Sequence, residues 1–146
     1  MRGYFFTNMY LSAIQKGIQP AHCLGEMCYN YLPKKTKKSS ILKSWLKNHK
    51  TMIVLDGGFS AHMRELVSFF KSSANPYPWA QFHEGLEELN GTLTCVGIVL
   101  PLKIYESASL FRQAITEGEK QDILTNFSSK WEMELVSTLG DYKLAN

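Results

Sequence analysis

The 146-residue sequence lacks an apolar run able to cross a bilayer: its longest, Val96–Leu102, falls well short of the roughly seventeen residues a helical span requires. It also lacks the features of a secretory leader. The opening MRGYFFTNMYLSAIQKG has a basic start, but Thr7, Asn8, Ser12 and Gln15 break its apolar stretch, so it reads as strand and loop. Cysteine is scarce. Cys23, Cys28 and Cys95 are odd in number and form no CxxC or paired-His pattern, which argues against a disulfide framework and against a zinc site. His49 and His62 have no partner at metal-ligand spacing, so no metal is expected, and no cofactor motif is present. A nucleophilic Cys23 beside His22 is disfavoured because neighbours on a helix point about 100° apart. These absences together predict a cytoplasmic protein in a reducing compartment, with no membrane partner.

Acid is missing from one stretch. Lys34, Lys35, Lys37, Lys38, Lys43, Lys47 and Lys50 supply seven positives uninterrupted by Asp or Glu, while the rest of the chain carries nine basic and thirteen acidic residues. The basic character is therefore local. It suits either a phosphate-attracting strip or a solvated connection.

Hydrophobic patterning supplies the elements. Gly3–Thr7, with Tyr4, Phe5 and Phe6 in succession, predicts a central strand covered on both faces. Ile18, Cys23, Met27 and Tyr31 recur near helical spacing; Pro20 either starts that helix or kinks it, and Ile14 to Gln19 lies at its beginning. After Pro33, KKTKKSS predicts a loop or arm, and Ser40 a cap for a short helix through Leu46. Thr51–Leu55 reads as a second strand, followed by an Asp56-Gly57-Gly58 turn and a helix burying Met63, Leu66, Val67 and Phe70. Tyr77 to Glu84 predicts an edge strand because prolines open it, and Leu93–Leu100, closed by Pro101, a central one. Helices over 107–116 and 129–139 follow, the latter with Ser129 and Glu132 at capping-box spacing. This order predicts a single α/β domain: a four-stranded mixed β-sheet with helices on both faces over 1–101, and a C-terminal helical extension over 102–146.

Two stretches carry a resemblance to a known family. One pattern is a first strand followed by L-S-x-G-K-x-A-A-Q-x-x-H-A at a helix start, met here by Leu11, Ser12, Gln19 and His22 without a gap. The other, F-x-E-x-x-L…N-x-L-T, is met by Phe82, Glu84, Leu86, Asn90, Leu93 and Thr94 if two residues are inserted, with Gly91-Thr92-Leu93-Thr94 reproducing G-T-x-T before the last strand. On these motifs the chain resembles the bacterial and phage branch of the type II peptidyl-tRNA hydrolases over residues 3 to 101. The resemblance implies that fold and a site at one end of the sheet where Asn8, Gln15, Lys16, Gln19 and His22 meet Glu84, with Thr94 nearby. Lys16, His22 and Glu84 would be the catalytic groups. The family's lysine, however, corresponds to Gln15, with Lys16 one position on. A one-residue step turns a helical side chain by about 100°, and loss of one charge-stabilising donor costs about a hundredfold in rate or more.

A second candidate site is Asp56-Gly57-Gly58-Phe59-Ser60, where close backbone approach and helix amides suit a phosphate, or where the chain simply needs positive φ with Ser60 as a cap. No Walker lysine follows it. Tyr77, Trp79 and Phe82 form either a stacking surface or a core face. Three functions remain open. The first is a peptidyl-tRNA hydrolase II-like domain binding a nucleotide-containing ligand, an RNA end or a small signalling nucleotide, with weak or no catalysis. The second is an active peptidyl-tRNA hydrolase. The third is an interaction or homo-oligomeric subunit using the apolar residues of 102–146.

Overall fold

The computed structural model describes residues 1–146 and divides them into two compact units, Met1–Val99 with Lys143–Asn146, and Leu100–Tyr142. The first holds a mixed, open four-stranded sheet. Its strands are β1 (Arg2–Thr7), β2 (Met52–Asp56), β3 (Trp79–His83) and β4 (Leu93–Leu100), in the spatial order β2-β1-β4-β3. β1 and β2 run parallel, with Phe5 opposite Val54, and β3 and β4 run antiparallel, with Ala80 opposite Gly97. The Asn8 N–H, just past the end of β1, donates to the Thr94 carbonyl at the start of β4 (3.1 Å), so these two central strands are also antiparallel.

Alternation along β1 sends consecutive aromatics to opposite faces, and helices cover both. Phe5 packs with Cys23 and Met27 of α1 (Ala13–Tyr31) and with Leu42 and Trp45 of α2 (Lys37–Asn48). Phe6 meets Phe70 of α3 (Ser60–Phe70), their ring centroids 6.1 Å apart. The layer on the α1 side is tight. A Cβ on Gly97 would lie 2.8 Å from the Phe5 ring and 3.0 Å from Cys23 Sγ, so glycine is what lets helix and sheet approach there. Both sheet margins are occupied. Along β3, Cys23 Sγ donates to the Ala80 carbonyl (3.4 Å), and along β2 the tail pairs through Asp56 N–H to Lys143 O and Ala145 N–H to Val54 O.

Several boundaries differ from the sequence expectation. α1 starts at Ala13 under a Ser12–Gln15 capping box and runs through Pro20. α2 begins at Lys37, capped by Thr36, whose hydroxyl accepts from the Ser39 N–H; Ser40 is not its cap, and Lys37 and Lys38 are helical rather than part of a loop. Ser39 explains the shift: it is buried and donates to the Tyr31 carbonyl (2.6 Å), tying the helix start to the end of α1. β3 is shorter than Tyr77–Glu84, because Asn75 closes a turn onto Tyr77 N–H before Pro78. A single helical turn, α4 (Leu86–Leu89), precedes the Asn90-Gly91 pair, both at positive φ, which reverses the chain into β4.

In the second unit there are three helices, not two: α5 (Leu102–Gln113), α6 (Glu117–Leu124) and α7 (Lys130–Gly140). Ala114 turns extended and ends α5, and a Thr116–Glu119 capping box starts α6. That box is present in the sequence and marks the helix start that hydrophobic periodicity passes over. α5 and α7 pack closely at Gly140, and Arg112 donates to the Gly140 (2.6 Å) and Tyr142 (2.7 Å) carbonyls, closing the end of α7. Ile104, Ala108, Leu135, Val136 and Leu139 are buried. No helix in the chain is long and apolar enough to cross a membrane.

Candidate functional site at the carboxyl edge of the sheet

The ends of β1, β2 and β3 and the start of β4 lie along one edge of the sheet. The chain leaves β1 toward α1 on one face and β2 toward α3 on the other. Where connections part in this way, open α/β sheets leave a crevice. Nearly all the candidate residues gather at this edge, but they divide sharply by what their polar atoms are already doing.

Asn8 is framework. It is 2% exposed; its amide donates to Ser60 Oγ (3.1 Å) and the Leu93 carbonyl (3.2 Å), its Oδ1 accepts from Tyr10 N–H (3.1 Å), and its backbone N–H reaches Thr94. One side chain thus clamps the end of β1, the start of α3 and the start of β4. The Gly-Gly turn is framework too. Gly57 N–H donates to Thr7 O (2.7 Å), and a Cβ there would meet Thr7 O at 3.0 Å and Met63 Cγ at 3.2 Å. Gly58, at φ +73°, gives its N–H to Asp56 Oδ1 (2.9 Å) and its carbonyl to Met9 N–H (3.0 Å). The two glycine amides that would cradle a phosphate are therefore committed within the protein. Ser60 is not the α3 cap; that position is Phe59, which has no capping side chain, and the Ser60 hydroxyl accepts from Asn8.

Gln15 is committed in part, since its Oε1 and N–H form the α1 cap while its Nε2 has no protein partner. Its Oε1 accepts from Ser12 N–H (3.0 Å) and its N–H donates to Ser12 Oγ (3.3 Å), the reciprocal pair that starts α1. Lys16, one step on, differs. The buried stripe of α1 is Gln19, Pro20, Cys23 and Met27, and Lys16 lies three, four and seven positions before its first three members, so it heads the stripe that faces the sheet. Lys16 is half-buried and makes no ion pair.

Gln19 is the centre of the site. It is 4% exposed, its Nε2 donates to Glu84 Oε2 (2.7 Å), and its Oε1 accepts from the Thr94 hydroxyl (2.7 Å). The carboxylate accepts only, so it must face the amide nitrogen, and the amide is oriented without ambiguity. This chain links α1, the hairpin and β4 across 65 and 75 residues of sequence. One N–H of Gln19 and one oxygen of Glu84 remain uncommitted.

Thr94 reaches Gln19 because of a bulge. Phe82 stands opposite Cys95 but His83 opposite Leu93, which leaves Thr94 as the extra residue. Cys95 lies on the α1 face against Cys23, so strict alternation would send Thr94 to the α3 face; the bulge cancels that alternation and aims its hydroxyl at α1. Sequence motifs place Thr94 near the site but give no signal for the bulge. His22 does not join the network: it is exposed and stacks on Phe82, centroids 4.8 Å apart and planes 14° apart, without a hydrogen bond.

An apolar rim surrounds these groups, one that the sequence reading left out. Tyr10 is 79% exposed and lies 5.3 Å, centroid to centroid, from Phe59, which in turn faces His62. Ile14, Ile18 and Leu86 are exposed at the same edge. Large apolar side chains in water around a polar crevice suit a ligand with an aromatic or apolar part. No group of three or more His, Cys, Asp or Glu side chains could hold a metal ion. Burial pushes the Cys95 thiol well above its ordinary pKa, reinforced by its hydrogen bond and proximity to Cys23, so Cys95 is not set up as a nucleophile, and the buried Cys23 spends its S–H on the Ala80 carbonyl. No protein-family model matches the chain, and no curated protein matches it in sequence.

Proposed function

We propose that the protein is a peptidyl-tRNA hydrolase II-like domain that binds a nucleotide-containing ligand, an RNA end or a small signalling nucleotide, at the carboxyl edge of its sheet, with weak or no ester hydrolysis. The observation that carries this reading is the Glu84–Gln19–Thr94 chain with unpaired Lys16 at the head of the same helix face. An oriented amide N–H, an accepting carboxylate oxygen and an ammonium offer a base edge and a phosphate the partners they need, and Tyr10 and Phe59 offer a ring surface. Weak catalysis follows from what the hydroxyl and thiol groups do. Thr94 gives its proton to Gln19, Cys23 gives its to Ala80, and the His22 ring is stacked on Phe82, so no side-chain nucleophile meets a base, and the family's lysine position is taken by Gln15, whose Oε1 is held in the α1 cap. Calorimetric titration with tRNA and a panel of nucleotides tests the reading. Heat from at least one member, lost in Lys16→Ala, is expected; silence from every member would overturn it.

One observation favours an active hydrolase instead. Lys16 heads the sheet-facing stripe, where a charge-stabilising group would be required, while Gln15 is held in the cap. Under that reading the protein releases peptide from peptidyl-tRNA, Lys16→Ala abolishes release and Gln15→Ala spares it.

A further inference from the structure

The opposite end of α1 carries a second feature unrelated to the carboxyl-edge network. A cleft of about 440 Å³ opens where the last turns of α1, the end of α3 and the first residues of β3 meet. Its walls include Glu26, Tyr31, Lys34, Lys71, Trp79 and Gln81. Seven residues of helix, about 10 Å at 1.5 Å per residue, separate Gln19 from Glu26, the nearest α1 residue of the cleft wall, and neither Gln19 nor Glu84 lines the cleft.

The lining is chemically specific. Of the three tryptophans, Trp45 and Trp131 are buried at 1% and 6% exposure, whereas Trp79 is half-buried and borders the cleft. Trp79 is backed by Phe70 at 6.2 Å on the α3 face, and its backbone N–H donates to the hydroxyl of Tyr31 (3.5 Å), which comes from the α1 face. A braced, half-buried indole at the mouth of a cleft offers a surface for a ligand ring. Lys34 and Lys71 are exposed, and neither forms an ion pair although Glu26 shares the cleft. From Lys34 the positive charge continues: between Glu26 and Asp56 there is no acid, and the solvent face of α2 presents Lys37, Lys43 and Lys47 among Ser40, Ser44 and Asn48.

We propose that this cleft is a second binding site that takes a base with its phosphate, the base against Trp79 and the phosphate on Lys34 and Lys71. The volume lies within the 300–1,000 Å³ typical of small-molecule sites, and the amide of Gln81 and carboxylate of Glu26 give the base edge a donor and an acceptor. Such a unit exists either as a free nucleotide or inside a single-stranded nucleic acid. The acid-free lysine face leading away from Lys34 favours the strand, since successive phosphates would meet successive ammonium groups.

The test follows tryptophan emission of the full chain with AMP, UMP, an eight-residue single-stranded oligo-U RNA and inorganic phosphate, alongside anisotropy of the labelled RNA. Emission is expected to change with the nucleotides and the RNA but not with phosphate. The RNA is expected to bind at least tenfold more tightly than UMP, with an affinity that falls steeply as salt rises, about 0.7 in log K per log salt for each phosphate engaged. Lys34→Glu with Lys71→Glu should weaken the affinity read from the emission change at least tenfold, for nucleotides and RNA alike, while circular dichroism stays unchanged. Lys43→Glu with Lys47→Glu should weaken the RNA alone. Equal affinity for UMP and RNA would overturn the strand and leave the free nucleotide as the ligand. An unchanged emission at millimolar nucleotide and RNA, a full emission titration in the Lys34/Lys71 variant, or an equal response to phosphate would overturn the site itself. Glu84→Gln, which alters only the carboxyl-edge network, should leave the emission titration intact; its loss there would assign the signal to the other site.

Discussion

Replacing Thr94 by valine tests the central network directly. The exchange keeps the shape of the side chain and deletes one hydroxyl, so neither a cavity nor a clash is introduced. What changes is Gln19 Oε1, which loses its 2.7 Å donor at a site where Gln19 is 4% exposed and Thr94 fully buried. A buried acceptor left unpaired costs about 1–3 kcal/mol. With a urea dependence of about 2 kcal/mol per molar for a chain of this size, a loss of about 2 kcal/mol moves the unfolding midpoint down by about 1 M. Gln19→Met should cost less, because the Thr94 hydroxyl still has the Phe82 carbonyl at 3.3 Å and the part-exposed Glu84 carboxylate regains water. In the double variant no orphaned acceptor exists, so Thr94→Val adds almost nothing on top of Gln19→Met. Urea unfolding of the four proteins gives the coupling energy, expected at 1 kcal/mol or more. Additive single effects, or a Thr94→Val cost below about 0.5 kcal/mol, would refute the claim that Gln19 is held as an oriented bridge.

Further outcomes follow from other contacts. Gly97→Ala places a methyl 2.8 Å from the Phe5 ring and 3.0 Å from Cys23 Sγ, an overpacking expected to cost about 1–3 kcal/mol, readable as a lowered urea midpoint. Cys28, whose thiol burial pushes up, should react slowly with an aromatic disulfide reagent in the native state, whereas Cys23 and Cys95 should react only on unfolding, giving one thiol before urea and three after. Glu119 is held below its ordinary pKa of 4.5 by the N–H groups of Thr116 and Ile115. A depressed folded-state pKa gives stability that is present above the unfolded value and lost as pH falls through the folded one, so the start of α6 should fray in acid below 4.5. Amide shifts of Ile115 and Thr116 that fail to follow the Glu119 carboxyl would contradict this.

Much of the sheet was legible because its strands are read by composition. Tyr4-Phe5-Phe6 and the eight buried residues of β4 are apolar on both faces, and both strands are central; Pro76 and Pro78 foretold the edge position of β3. The site was legible only as a neighbourhood. The resemblance of the α1 start and the hairpin to family motifs implied that Gln19, Glu84 and Thr94 share one end of the sheet, but it could not say that Asn8, Gly57 and Gly58 spend their polar atoms on the fold. For Asn8 and Gly57 the partners lie up to 85 residues away, such as Leu93 for Asn8, and no local pattern encodes them, whereas the Ser12–Gln15 cap is a local spacing that the sequence does carry. The bulge at Thr94 was invisible for a similar reason. Leu93–Leu100 reads as uniform strand, and the extra residue is defined only by its pairing with β3.

The division between committed and uncommitted groups orders what substitutions at this edge should do. A residue whose donors and acceptors are all met inside the protein transmits its loss to stability, whereas one with capacity left over can transmit it to a ligand. Asn8 and Gly57 belong to the first class: they tie three elements together, and their removal loosens the edge on which everything else stands. Lys16 belongs to the second, being without an ion partner and half-exposed, so its truncation should leave the fold nearly untouched. Gln19 and Glu84 straddle the two. Each spends part of its capacity holding the other and keeps part free, and that combination of a fixed direction and an open valence is what a pre-oriented binding group requires. A ligand at this edge would therefore meet an amide and a carboxylate whose ordering cost has already been met by folding, so its specificity should follow Gln19 while its overall affinity follows the Lys16 charge.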